Sequence, residues 1–159
     1  HASEGGWYYQ QIELGFNYRI TDLQAALGIS QMSRINSFVS KRNELADHYN
    51  KHLSNLPIEL PKTPKDTYSS YHLYIIKLSE DSSIERKELY DGLKSNNIGV
   101  NVHYIPVHLQ PYYKNLGFSE GDFPEAERFY QNAISIPLHP KLTKEEQNYV
   151  IKNISELVK

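Results

Sequence analysis

The chain has 159 residues, with 17 Lys and Arg against 19 Asp and Glu, 7 His and no Cys, a length that suits one compact domain rather than two. A formal net charge of -2 with scattered cations offers no basic field for nucleic acid, and no apolar run approaches the roughly 18 residues of a membrane span. The lack of cysteine removes disulfide frameworks, thiol nucleophiles and Cys-based zinc sites, so a cytoplasmic setting is expected. The chain opens at His1 rather than Met and carries 13 Tyr. Tyrosine supplies large apolar area with a polar tip, so a fragment with a large interface is expected.

Residues 1–20 mix Gly5, Gly6 and Gly15 with Trp7, Tyr8, Tyr9, Phe16 and Tyr18 and hold no sustained period, which predicts an irregular segment. Thr21 with Gln24 forms a capping box, Asp22 sits in the first turn, and Leu23, Ala26, Leu27, Ile35, Phe38, Leu45, Tyr49 and Leu53 follow at helical spacing. The pattern predicts one long helix over 21–56. At about 1.5 Å per residue it would span about 50 Å, so a bend near Ser33 to Ser37 is expected.

Pro57, Pro61 and Pro64 predict an extended connector, and Tyr71 to Leu78 predicts a central strand with two apolar faces. Ser83 is expected to cap a short helix with Glu85 in its first turn and Leu89 and Leu93 inward. Asn97 and Gly99 offer left-handed endings before a strand at Val100 and Val102. Pro124 suits the first position of a helix leading to a short strand over Ile134 to Leu138, and Thr143 with Glu146 caps a closing helix with Val150, Ile151, Ile154, Leu157 and Val158 inward. The fold class read from this order is α+β, with about three short strands under helices and residues 57–159 as a small domain.

Two segments concentrate polar chemistry. In Gly15-Phe16-Asn17-Tyr18-Arg19-Ile20-Thr21-Asp22, amide, phenol and guanidinium groups crowd a helix entrance that favours anions. Either the string is a phosphate or carboxylate clamp, or Tyr18 is core, Arg19 a solvated cation and Asn17 a turn residue. In His103-Tyr104-Ile105-Pro106-Val107-His108, followed by Gln110-Pro111-Tyr112-Tyr113, a loop of about twenty residues is expected, and loops that long are usually functional. Its His and Tyr suit hydrogen bonds to a sugar or phosphate, or ordinary loop packing. A metal is disfavoured because no third ligand lies nearby. His72 and His139 are expected as satisfied structural residues. No nucleophile elbow, phosphate loop, dinucleotide fingerprint or His-Glu-x-x-His is present, and no lysine reads as a buried nucleophile, so no catalytic residue is assigned.

The run Trp7-Tyr8-Tyr9-Gln10 through Leu14-Gly15-Phe16-Asn17-Tyr18-Arg19-Ile20-Thr21-Asp22-Leu23-Gln24-Ala25-Ala26-Leu27-Gly28 resembles the nucleotide-sugar aminotransferases, pyridoxal-phosphate enzymes of fold type I. The blocks His103 to His108, Tyr112-Tyr113, Phe123-Pro124-Glu125-Ala126-Glu127 and Ile134-Ser135-Ile136-Pro137-Leu138 are similar to later family blocks in the same order. Trp7-Tyr8-Tyr9 and Gln110-Pro111-Tyr112-Tyr113 most resemble the pseudaminic-acid branch, which aminates C4 of a UDP-linked 4-keto-6-deoxy-N-acetylhexosamine with glutamate as donor.

Full members resemble a chain more than twice this long, so the resemblance implies only the C-terminal part. Residues 1–20 would be the tail end of a large domain, 21–56 an interdomain helix and 57–159 the small domain, with the Schiff-base lysine upstream of His1. It further implies that Asn17 reaches the cofactor phosphate of a partner subunit in a homodimer and that Arg19 holds the phosphates of the UDP-sugar. Tyr104, His108 and His103 would line the substrate side. A stand-alone sugar-nucleotide-binding or dimerisation module, and the same chemistry on another 4-keto nucleotide sugar, are the competing readings.

Overall fold

Residues 10–16 and 18–159 are described by a computed structural model, so the expectation for Trp7 to Tyr9 lies outside the described residues. Residues 1–35 and 36–159 form separate units. In the first, residues 10–16 and 18–20 are irregular and lead into helix α1 (Asp22–Met32), where the predicted capping box is present. Thr21 Oγ1 accepts from the Gln24 N–H at 3.3 Å and Gln24 Oε1 accepts from the Thr21 N–H at 2.9 Å. This helix buries none of its residues.

The long helix expected over 21–56 is divided into two at Ser33 and Arg34, within the stretch where its bend was expected. The Ser33 N–H bonds to Ile29 O and the Arg34 N–H to Gln31 O, which closes α1 in a turn, and α2 (Ile35–Leu53) begins after it. Ser33 also bonds its own hydroxyl back to Ser30 O at 2.9 Å, the local competition with helical hydrogen bonding that serine offers. Only the second half of α2 is buried, through Leu45, Ala46, Tyr49 and Leu53.

The second unit is built on a three-stranded antiparallel sheet of order β1 (Ile58–Glu59), β2 (Tyr74–Leu78), β3 (Ala133–Ile136). The central position of β2 agrees with its sequence. Tyr74, Ile76 and Leu78 are buried on one face while Ile75 and Lys77 are half-buried on the other. The registers pair Ile58 with Leu78, and Tyr74 with Ile136. The proline-flanked connector thus carries a strand that the sequence did not announce, because two residues are too few to show alternation. The strand expected at Val100 and Val102 reduces to one isolated bridge between Asn101 and Ser135.

Around the sheet lie α3 (Arg86–Ser95), α4 (Pro111–Lys114), α5 (Pro124–Asn132) and α6 (Lys144–Leu157). The cap of α3 is Glu85 in a box with Glu88, not Ser83, whose hydroxyl instead bonds to Lys159 O at 3.4 Å. Asn97 takes the expected left-handed ending at φ 58°. Thr143 and Glu146 form the second predicted box. α3 packs on α6 and β3, and α5 on β2. Gly92 allows the close approach of α3 to α6, since a Cβ there would stand 2.8 Å from Leu157 Cδ2.

Core aromatic rings are satisfied as well as buried. Tyr49 and Tyr74 pack with centroids 5.0 Å apart. Tyr49 donates to Pro137 O at 2.8 Å and Tyr74 to Asn50 Oδ1 at 2.6 Å. Burial first, and the neighbouring phenol second, push both hydroxyls above the ordinary tyrosine range, so both remain donors. Together with Leu53, Ile76, Leu89, Leu93, Ile134 and Ile154 they form one continuous cluster, in which each full side chain contributes roughly 1.5–3 kcal/mol of apolar burial. Among the described residues no helix is long and apolar enough to cross a membrane.

Candidate functional site

The segment from Asn101 to Phe123 leaves the edge of β3 and returns to α5. It is not the structureless loop its length implied, because Val107–Leu109 form a single 3-10 turn and Pro111 opens the short α4. Proline at the first helical position needs no hydrogen-bond partner, which is why the turn can convert directly into a helix. Gly117 at φ +104° and Gly121 at φ +96° then reverse the chain where a Cβ would be strained. The peptide between His103 and Tyr104 is cis.

Three side chains tie this segment down. His108 is 6% exposed and its Nε2 lies 2.7 Å from Glu127 Oε1. An ionised carboxylate only accepts, so Nε2 carries the proton. The Glu127 carboxylate also accepts from the Gly121 N–H, at 2.9 Å through Oε1 and 3.1 Å through Oε2. The His108 bond first, and the Gly121 N–H second, hold the Glu127 carboxyl below the ordinary carboxylate range. One carboxylate thereby joins the start of the segment to its end. Phe123 packs on the His108 ring at 4.8 Å, and Pro106, Val107, Tyr113, Phe118 and Ala126 complete an apolar cleft of about 380 Å³.

His103 is anchored on the other side. Its Nδ1 lies 2.8 Å from Ser135 Oγ, and its Nε2 lies 3.3 Å from Asn101 Nδ2. Tyr104 meets the His103 ring edge-on at 4.6 Å and is 73% exposed. Half-buried His103 and exposed Tyr104 are thus brought together, whereas His108 is buried against Glu127. Tyr112 is exposed too, so the segment presents phenols outward while its anchors point in.

Among the other candidate residues, Arg19 is exposed and Asn17 lies outside the described residues. The string from Gly15 to Asp22 does not bury Tyr18, which is 91% exposed and stacks on Phe16 at 5.4 Å; the core alternative for Tyr18 is corrected accordingly. His72 and His139 are exposed rather than built into the interior, because His72 precedes the first paired residue of β2 and His139 lies in the turn between β3 and α6. Among the described residues no three His, Asp or Glu side chains converge as metal ligands.

Sequence reasoning missed Glu127, Ser135 and Asn101 as parts of this site. Glu127 stands 19 residues from His108 and Ser135 stands 32 from His103, and no spacing rule joins residues so far apart. The only available signal was that Glu127 and Ser135 fall inside two of the family-like blocks.

A cofactor held covalently through an amine needs a lysine kept out of water. The lysines run from Lys41 to Lys159 and none is buried; Lys77, half-buried, is engaged by Glu59 at 2.7 Å. These residues do not fit a covalent cofactor anchor.

The sequence pattern of the DegT/DnrJ/EryC1/StrS aminotransferase family matches residues 2–155. UDP-4-amino-4,6-dideoxy-N-acetyl-beta-L-altrosamine transaminase of Campylobacter jejuni is 35% identical over 91% of this chain and 38% of its own length. GDP-perosamine synthase of Escherichia coli O157:H7 is 30% identical over 90% of this chain and 38% of its own. The putative sugar aminotransferase Spr1654 from Streptococcus pneumoniae, solved in apo, PMP and PLP forms, superposes with a TM-score of 0.88 at 34% identity, over 99% of this chain and 40% of that one. The chain thus spans about two-fifths of the length of the relatives it matches. With the match running through the capped helix α1, the His103 to His108 segment and the Ser135 strand alike, the chain belongs to the DegT/DnrJ/EryC1/StrS aminotransferase family.

Proposed function

We propose that this chain is the C-terminal part of a pyridoxal-phosphate-dependent aminotransferase that moves an amino group from glutamate to C4 of a UDP-linked 4-keto-6-deoxy-N-acetylhexosamine in pseudaminic acid biosynthesis. The observation that carries the reading is the pair of half-buried His103 and exposed Tyr104, in a segment held by two separate sets of anchors within a chain of this family. The likeness to the altrosamine transaminase supports the choice of sugar. Pyridoxal phosphate, when bound, supplies the electron sink for moving the amino group. The residues of this chain bind and orient.

In this reading Asn17 reaches the cofactor phosphate across a homodimer of the intact enzyme, and Arg19 holds the phosphates of the UDP-sugar, for which a planar guanidinium fork is suited. Tyr104 and His103 hydrogen-bond the sugar. His108, placed in the same group from its motif, contributes by fixing the segment through Glu127 and by lending its ring to the wall of the apolar cleft. The division into a tail of a large domain (1–20), an interdomain helical stretch (21–56) and a small domain (57–159) belongs to the same proposal, as does a cytoplasmic setting.

The test is to supply the full-length gene product with glutamate and either the UDP-linked 4-keto-6-deoxy-N-acetylhexosamine or a GDP-linked 4-keto-6-deoxyhexose. Amination of the UDP sugar is expected, with Arg19→Ala raising KM and Asn17→Ala weakening retention of the cofactor. Amination of the GDP sugar alone would replace this reading with the second one, the same chemistry on another nucleotide sugar, which the likeness to GDP-perosamine synthase favours.

A further inference from the structure

The hydrogen bonds around His103 determine which of its ring nitrogens carries the proton. The bridge between Asn101 and Ser135 is a hydrogen-bonded antiparallel pair, with the Asn101 N–H donating to Ser135 O at 3.2 Å and the Ser135 N–H to Asn101 O at 2.8 Å. Residues opposed in this way present their side chains on one face, and His103, two residues beyond Asn101, shares that face. The bridge therefore sets an amide and a hydroxyl on either side of one imidazole.

The orientation of the amide follows from its other contact. The Val102 N–H donates to Asn101 Oδ1 at 2.8 Å, which leaves the Nδ2 amine turned toward His103. An amide nitrogen only donates, so His103 Nε2, at 3.3 Å, must accept through its lone pair. In the neutral ring the proton then sits on Nδ1, from which it is donated to Ser135 Oγ at 2.8 Å. Ser135 is 6% exposed and fixed in β3, whereas the contact at Nε2 is long and lies on the exposed side. A ligand hydroxyl at the usual 2.7–2.8 Å would replace that weaker partner without disturbing the buried one.

We propose that Ser135 and Asn101 are positioning residues that hold His103 with its proton on Nδ1, so that Nε2 is offered as an acceptor to a hydroxyl group of the sugar ligand. The assignment of that ligand rests on the function proposed above; the tautomer does not. Tyr104, against the edge of the same ring, supplies a hydroxyl that both donates and accepts, so the pair covers both polarities a sugar presents.

The test is proton-nitrogen correlation NMR on the full-length protein labelled at histidine, with His103→Asn used to identify the ring signals. The protonated nitrogen is expected to be Nδ1. Asn101→Asp, which sets an acceptor opposite Nε2 at an exposed position, should draw a proton onto Nε2, whereas Ser135→Ala, which keeps the Asn101 donor, should leave Nε2 unprotonated. A native ring already protonated on Nε2 alone, or an Nε2 that stays unprotonated in a folded Asn101→Asp protein, overturns the proposal.

UDP-N-acetylglucosamine is then titrated as the probe. Movement of the Nε2 signal, with affinity about 5- to 10-fold lower in Asn101→Asp, as loss of one hydrogen bond implies, supports the acceptor role. A silent ring that retains the native tautomer counts against the sugar-nucleotide reading while leaving the tautomer assignment standing.

Discussion

Helices α1 and α6 begin in the same way and end up in opposite circumstances. Thr21 with Gln24 and Thr143 with Glu146 form equivalent capping boxes, each with an acidic residue in the first turn. Yet α1 buries none of its residues, while α6 buries Gln147, Val150, Asn153 and Ile154. Apolar content does not explain the difference, for Leu23, Leu27, Ile29 and Met32 of α1 are all more than 60% exposed. Capping chemistry decides where a helix starts, because it satisfies N–H groups that are orphaned wherever a helix opens. What the helix packs on is decided by other parts of the chain. In α6 the buried polar residues mark this dependence: Gln147 donates to Leu45 O at 2.7 Å, across 102 residues of sequence.

The contrast can be broken most sharply at Ile154, which is fully buried. Ile154→Ala should cost about 2–5 kcal/mol, whereas Leu27→Ala should stay within about 0.5 kcal/mol; urea denaturation midpoints measure both. Equal losses would mean that α1 is packed in solution after all.

Gly92→Ala tests the seat of α6 on α3. The added methyl meets Leu157 side-chain carbons below 3.0 Å, so a loss of about 1–3 kcal/mol is expected from overpacking. No loss would show that Leu157 swings aside freely.

Tyr49→Phe leaves Pro137 O without its phenolic donor and should cost about 1–3 kcal/mol. Thr143→Ala removes a cap from a helix that is packed and should cost about 1 kcal/mol, with Thr21→Ala changing global unfolding less. A larger effect at Thr21 than at Thr143 in the same denaturation series would reverse the comparison.

The smallest expected effect is a local response to pH at the Glu127 clamp. Its carboxyl sits below the ordinary range in the folded chain. The stabilisation it gives is therefore complete above the unfolded carboxyl value, near 4.3, and is lost as pH falls through the lower folded value. Amide exchange at Gly121 should quicken over that acidic interval in the native protein, and Glu127→Gln should flatten the response. A profile unchanged by the substitution would remove Glu127 as its cause.

Much of the local structure was legible in the residues. Both capping boxes, Pro124 at the start of α5, the left-handed Asn97 and the inward faces of α3 and α6 follow from chemistry acting over four residues or fewer. The errors have the opposite character. Val100 and Val102 were β-formers given only one bridge at Asn101, and Ile58 found a partner in Leu78. Each of these outcomes depends on whether a distant strand or helix is present at that place.

The candidate site divides along the same line. The chemical repertoire of each polar segment, Asn and Arg in one and His and Tyr in the other, was set by the sequence alone, as were the absence of thiol chemistry and the small net charge. Which histidine faces outward was decided only by the tertiary structure. His103 and His108 lie in one short motif with similar neighbours, and the difference between them comes from Ser135 on β3 and Glu127 on α5. A hydrogen bond reaches about 3 Å, so partners 19 and 32 residues away along the chain could be chosen only once the fold had brought those elements together.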